Sequence, residues 1–191
     1  MTTPEDILAT TAWAQLEHAY GPADDLPARL TALIDGETAE FAAAMHTLAW
    51  SLTHQGTLYS ATLPAARFVA AVLTDPRTSA GKAAMISWLD AVAGSAIEFE
   101  EFEHEPDADA IRAAIPSFYP AVAANFDHPN PVVRVAARRA ALTMLDRPEL
   151  AAERPAAATH LLAELDLLTE SEQAAVQDAV QGWQNGENPA S

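Results

Sequence analysis

The stretch Phe126-Asp127-His128-Pro129-Asn130-Pro131-Val132-Val133-Arg134, which continues as Val-Ala-Ala-Arg-Arg-Ala-Ala-Leu to position 142, decides the fold. Its Asp and two prolines interrupt any preceding helix, because proline has no backbone N–H to continue the hydrogen-bond ladder. Ala, Val and Leu then recur at the spacing of one helix face. The stretch therefore predicts a turn followed by an amphipathic helix.

Similar Asp-centred turns follow other apolar segments of the chain. The Asp residues of the four turns, Asp35, Asp75, Asp127 and Asp166, are 40, 52 and 39 positions apart. Periods of about 40 residues built from helix pairs are typical of α-solenoids, in which each unit buries its apolar face on its neighbours. We expect an all-α superhelix of three to four helical hairpins with capping helices, forming one domain over residues 1–191.

Composition restricts the possible partners. The 191 residues include 27 acidic and 10 basic side chains, a net charge of -17, and no cysteine. Nucleic acid and anionic membranes attract the opposite charge, so we expect neither as a direct partner and favour a basic protein. The chain has no cysteine to ligate zinc or act as a nucleophile. No basic cluster precedes an apolar run at the start, so we expect no secretion signal, no membrane span and a cytoplasmic location.

Local patterns predict several helix boundaries. We expect the first helix over 12–20, ending at Gly21-Pro22, and a second over 26–34. A third helix is expected to begin near Thr38, and Pro64 is expected in the first turn of the helix that follows the loop at 57–62. Two prolines, Pro116 and Pro120, predict a kink or a break in the helix over 107–126.

The stretch at 126–142 resembles the HEAT-repeat family. It has that family's Asp-Pro turn, followed by Val-Arg, then Ala, then Leu on the second helix of a repeat. The resemblance implies that Asp127 and Arg134 are structural residues that bond the turn and each other. Asp35 and Asp75 match the Asp alone, and no Arg follows them in register. The resemblance covers about three repeats, from residue 26 to residue 145.

Two further strings are similar to segments of small actinobacterial HEAT-repeat proteins. They are Trp-Ala-Gln-Leu-Glu-His-Ala-Tyr-Gly-Pro-Ala from Trp13 and His-Gln-Gly-Thr-Leu-Tyr-Ser-Ala-Thr from His54. This resemblance supports a bacterial HEAT-like fold and implies no activity.

An acidic insertion at about 95–109 interrupts the repeat and is the first candidate site. Carboxylates surround two aromatic rings there, which could anchor a basic protein at the centre of a contact. The alternative is a solvated loop whose rings lie on the solenoid. An EF-hand spacing is absent, and we predict no metal site. The residues proposed to bind the partner are Glu98, Phe99, Glu100, Glu101, Phe102 and Glu103.

A polar corner between two units is the second candidate. His54, Gln55, Thr57 and Tyr59 could line a groove for a small ligand. Alternatively, they could satisfy backbone groups at the end of a helix. Arg134 and Arg138 are four positions apart and could bind an anion, although pairing with nearby acids in a ladder between repeats is the simpler interpretation.

These observations favour a non-catalytic protein-binding solenoid without a cofactor. HEAT-type iron hydroxylases use several His-Glu dipeptides, and this chain has only His104-Glu105. A phosphate loop, a nucleophile elbow and a dinucleotide fingerprint are all missing from the sequence. Within the protein-binding class, an acidic bacterial protein could be an inhibitor or immunity protein for a basic toxin. The alternatives are an enzyme or small-ligand binder around His54 and Tyr59, and a purely structural domain.

Overall fold

A computed structural model describes residues 2–34, 39–78, 81–98 and 106–186. This part of the chain is predominantly helical and has almost no strand, in agreement with the all-α class that the sequence predicts. Its helices are α1 (Pro4–Thr10), α2 (Leu26–Thr31), α3 (Ala39–Thr47), α4 (Thr62–Thr74), α5 (Lys82–Glu98), α6 (Pro106–Ala123), α7 (Pro131–Leu145), α8 (Arg154–Ala163) and α9 (Glu170–Gln184). Among these described helices, none combines the length and the apolar character needed to cross a membrane.

Two successive hairpins, α4–α5 and α6–α7, form the centre of the molecule. Helix α4 lies against α6, and α5 lies against α7, while α1 packs on the outer side of α4. Helices α8 and α9 contact each other and continue from α7. The turns at Asp75, Asp127 and Asp166 each lie between two helices, whereas Asp35 is outside the described residues.

The core follows from the apolar spacing of these helices. Buried apolar residues from Ile7 to Val180 form one contiguous cluster. Alanine is abundant in it and lets neighbouring helices approach closely. The largest fully buried side chains in the two central hairpins are Phe68, Leu73, Met85, Ile86, Leu89, Ile111 and Phe118.

The predicted helix over 12–20 is wrong. The first helix is α1, which begins earlier because Thr3 and Asp6 form a reciprocal capping box ahead of it. Residues Trp13–Gln15 form a single 3₁₀ turn, and two short antiparallel strands, β1 (Glu17–His18) and β2 (Gly21–Pro22), follow. Backbone groups of this segment bond to distant parts of the chain instead of to carbonyls one helical turn away.

Contacts with the loop before α4 hold this β-hairpin. The Glu17 N–H donates to Ser60 Oγ at 2.8 Å, and the Ala61 N–H donates to the Glu17 carbonyl at 3.1 Å. The Ala19 N–H donates to the Ser51 carbonyl at 2.9 Å. Tertiary hydrogen bonds thus outweigh the helical propensity of the segment.

The other predicted boundaries agree only in part with the structure. Helix α2 ends at Thr31, three residues before the predicted position, and a turn follows it. Pro64 lies in the first turn of α4, as predicted. The predicted insertion is helical at both ends, because α5 continues through Glu98 and α6 begins at Pro106. Residues 99–105 lie outside the described residues.

Helix α6 is not split at its prolines. Both Pro116 and Pro120 lie inside one uninterrupted helix. The helix is packed against α4, α5 and α7. Four of its large apolar residues recur every three or four positions and are at most 1% exposed: Ile111, Ile115, Phe118 and Val122. This burial on three neighbours offsets the hydrogen bonds that the prolines remove.

Candidate functional site

Five aromatic and imidazole side chains contact one another in a continuous row that runs from the end of α3 to the β-hairpin, where it ends at the largely buried ring of His18. We call this the ring row, and it consists of His46, Trp50, His54, Tyr20 and His18. Trp50 is 55% exposed and Tyr20 is 60% exposed, although both side chains are large enough to gain from burial. Exposed aromatic residues of this size, grouped together, are typical of binding surfaces.

The rings contact one another in sequence. His46 stacks on Trp50 with centroids 5.7 Å apart, and Trp50 meets His54 edge to face at 5.4 Å. His54 contacts Tyr20 at 6.0 Å, and Tyr20 contacts His18 at 6.2 Å. Each pair lies within the range of favourable aromatic geometry. The contacts limit the rotation of the two exposed rings, so less conformational entropy is lost when a partner covers them.

Irregular backbone positions the row. A turn of π-helix, Leu48–Leu52, follows α3 and carries Trp50 on its outer side, while Leu48 and Leu52 are buried. Such turns occur frequently at functional sites. A 3₁₀ turn follows at His54–Gly56, in which Gln55 has a φ of 54°, in the left-handed region that non-glycine residues rarely adopt. This backbone places His54 between Trp50 and Tyr20.

The buried hydroxyl of Thr62 connects this segment to α4. Its Oγ1 donates to the Leu52 carbonyl at 2.8 Å and accepts the Tyr59 N–H at 3.0 Å. Thr62 is fully buried, so the two backbone groups would have no water as a substitute partner. Thr62 therefore fixes the end of the π turn and the loop that precedes α4.

Hydrogen bonds define the orientation of His18 at the other end of the row. The Tyr20 backbone N–H donates to His18 Nδ1 at 3.1 Å, so Nδ1 is the acceptor of the imidazole. His18 Nε2 then carries the proton and donates to Asp25 Oδ1 at 3.2 Å. Arg29 Nε donates to the other oxygen of Asp25 at 3.1 Å. The chain His18–Asp25–Arg29 thus anchors the β-hairpin to α2.

The row is suited to contact with cations. The faces of Trp and Tyr rings attract Lys and Arg, and the net charge of -17 favours the same partners. Within the described ranges, no group of three or more His, Asp or Glu side chains is arranged to hold a metal ion.

The structure separates the predicted groove residues. His54 belongs to the ring row, whereas Gln55 and Thr57 are exposed on the adjoining turn. Tyr59 is half-buried, and its backbone N–H bonds to Thr62. The ring contacts of His54 are with Trp50 and Tyr20, not with Tyr59.

The predicted acidic partner site lies almost entirely outside the described residues. Glu98 is exposed at the end of α5, while Phe99, Glu100, Glu101, Phe102 and Glu103 are not described. Arg112 connects the helices on either side, because it donates to the Ala96 carbonyl of α5 at 2.6 Å and pairs with Asp109 of α6. The ends of the acidic segment are therefore held near each other.

Arg134 bonds the turn before α7. Its Nη1 donates to the carbonyls of His128 and Pro129 at 2.9 and 3.2 Å. Its Nε donates to Glu164 Oε2 at 2.9 Å, which connects α7 to the end of α8. Asp127 is 85% exposed and lies 3.5 Å from His160 Nδ1. Among the hydrogen bonds of the described residues, Arg134 makes none to Asp127, in contrast to the expected direct bond.

Arg138 completes an Arg–Glu cluster between α7 and α8. It is only 3% exposed, donates from Nε to the His160 carbonyl at 2.9 Å, and pairs with Glu164. Hydrogen bonds from Arg134 first, and then from Arg138, lower the pKa of Glu164 to about 2. Local pairing, rather than an open anion site, accounts for these two arginines.

Comparisons of the chain with protein-family models, with curated proteins and with solved structures found no match. The HEAT-like assignment therefore stays a prediction, based on the turn residues quoted above.

Sequence reasoning missed Trp50 and Tyr20. A signal was present for part of the row, because His46, Trp50 and His54 are separated by four positions each and so share one helix face. Tyr20 gave no such signal, since it reaches the row only through the β-hairpin.

Proposed function

We propose that this chain is a non-catalytic, HEAT-like protein-binding domain that holds a basic protein on its ring row. The observation that carries the proposal is the pair of exposed rings, Trp50 and Tyr20, held by histidines on a strongly acidic chain. A few large aromatic side chains commonly provide most of the energy of a protein interface. The surrounding negative charge would speed the approach of a basic partner.

The helix contacts support the solenoid part of the proposal. In stacked repeats the first helices of neighbouring units lie together, and so do the second helices. The contacts of α4 with α6 and of α5 with α7 follow that order. The acidic segment at 98–103 is proposed as a second contact for the same partner. An inhibitor or immunity protein for a basic toxin is the form of this function that we favour.

Capture by the full chain tests the function. The immobilised protein is exposed to native lysate at low salt, beside a variant with Trp50→Ser and Tyr20→Ser. Val132→Ser is the matched control, because Val132 is 63% exposed at the start of α7, away from the ring row. We expect a basic protein on the wild type and on the control, with affinity reduced about 30-fold or more in the ring variant.

The result that would overturn the proposal is equal capture by all three proteins, or capture of nothing at low salt under several growth conditions. Charge reversal at Glu100, Glu101 and Glu103 tests the second contact separately. Unchanged affinity in that variant would remove the acidic segment from the interface while leaving the ring row in place.

A further inference from the structure

A cleft of about 660 Å³ lies between α1, α4 and α6. Its floor is apolar, and Ile7, Ala70, Phe118 and Ala121 in it are each at most 9% exposed. The volume is that of a typical small-molecule site. The cleft contains none of the ring-row residues, so it is a separate feature of the molecule.

The cleft extends along one face of α4. Pro64, Arg67, Ala71 and Thr74 line it at intervals of three or four residues, which places them on one face of the helix. Ten residues of helix correspond to about 15 Å at the usual rise per residue. Alanines on both α4 and α6 leave the space open, since larger side chains there would fill it. A linear apolar chain matches this shape better than a compact ring system does.

One cation borders the cleft. Arg67 is exposed on its rim, and its guanidinium makes no hydrogen bond or ion pair with any residue that the structure describes. The other nine basic side chains of the chain all have such a partner. They are Arg29, Arg77, Lys82, Arg112, Arg134, Arg138, Arg139, Arg147 and Arg154.

This exception is informative because acids outnumber bases by 27 to 10 in the chain. A surface Arg in so acidic a protein can pair easily, yet Arg67 is directed to an apolar cleft. A guanidinium is the side chain best suited to bind a carboxylate through two parallel hydrogen bonds. The repulsion between a small anion and distant surface carboxylates is weak at physiological salt, where charges are screened beyond about 8 Å.

We propose that the cleft binds a linear amphiphile with a carboxylate head, of the fatty-acid type. The head bonds to Arg67, and the chain lies along the alanines between α4 and α6. We expect the cleft to bind an anionic amphiphile more tightly than a cationic one of equal chain length. The net charge of the protein alone would favour a cationic amphiphile, so only a local contact with Arg67 can reverse that order.

Titration calorimetry on the full chain tests the proposal with two probes of equal chain length, dodecanoate and dodecyltrimethylammonium, both below their micelle concentrations. We expect saturable one-to-one binding of dodecanoate and much weaker binding of the ammonium compound. Arg67→Gln should weaken dodecanoate about tenfold or more, the usual loss when a hydrogen bond to a charged group is removed. Arg139→Gln is the matched control, because that exposed arginine pairs with Glu172 outside the cleft.

Ala71→Leu provides a second variant that narrows the cleft without touching Arg67. It should weaken dodecanoate while the circular dichroism spectrum stays unchanged. Three results would overturn the proposal: no saturable binding of dodecanoate, equal binding of the two probes, or equal losses in Arg67→Gln and Arg139→Gln. Equal binding of the probes would indicate adsorption by the apolar chain alone.

Discussion

Gly81 is the position where adding a single methyl group should cost the most stability. It precedes α5 with a φ of 70°, in the left-handed region. A Cβ built there would lie 2.6 and 2.9 Å from Phe41 Cε2 and Cε1, and closer still to Cζ. Carbon atoms in good contact are separated by about 3.5–4.0 Å. The ring of Phe41, which is only 7% exposed, would therefore have to move by about 1 Å within the core.

Three contributions determine the magnitude of Gly81→Ala. The left-handed backbone costs an alanine about 1–2 kcal/mol. Displacing the buried ring costs about 1–3 kcal/mol, the usual range for overpacking. The reduced freedom of the unfolded chain returns about 0.4–1 kcal/mol. Together they lower the free energy of unfolding by about 3 kcal/mol, within a range of about 1–5 kcal/mol, measured by urea denaturation followed by helical circular dichroism.

Two other glycines separate these contributions. Gly56 has a φ of 82° and open space around its Cβ position, so Gly56→Ala should show the backbone cost alone, about 1 kcal/mol. Gly94 lies inside α5 with nothing near its Cβ position, so Gly94→Ala should stabilise by about 0.5–1 kcal/mol. If Gly81→Ala destabilises the protein no more than Gly56→Ala does, the overlap with the Phe41 ring does not contribute to the loss of stability. Adding Phe41→Leu should recover part of the loss in Gly81→Ala, which a double-mutant cycle would record as coupling.

Two further substitutions test the hydrogen-bonded clusters. Thr62→Val keeps the shape of the side chain but leaves the Leu52 carbonyl and the Tyr59 N–H without their partner, so it should lower the free energy of unfolding by about 2–4 kcal/mol. Thr62→Ser keeps the hydroxyl and should cost only about 1 kcal/mol. Similar losses in both variants would show that the hydroxyl is not what stabilises this segment. The pKa of Glu164 is about 2 in the folded protein against an ordinary 4.5, so its stabilising effect is present above about pH 4.5 and is lost as the pH falls towards 2. The difference in free energy of unfolding between wild type and Glu164→Gln should therefore shrink as the pH falls from 6 to 2.5 in urea titrations. A difference that is independent of pH would contradict the stabilisation of the Glu164 carboxylate by Arg134 and Arg138.

The helical class and the positions of the central hairpins could be predicted from local signals. The Asp-Pro turns and the three-to-four-residue apolar spacing place α4 and α7 correctly, because both signals act within one helix and one turn. The segment over 12–20 could not be predicted this way. Its fold depends on Ser60, which is 43 positions from Glu17, and that bond has no trace in the local pattern.

The wrong helix prediction over 12–20 and the irregular end of α3 lie on one surface. The segment that was expected to be helical forms the β-hairpin carrying Tyr20, and the end of α3 departs into the π turn that carries Trp50. Natural proteins tend to depart from locally consistent structure where function requires it. Here the departure places two large rings in solvent and leaves Gln55 in the left-handed region. The exposure of both rings is what the proposed protein-binding surface requires, and it supports that proposal over the alternative of a purely structural domain.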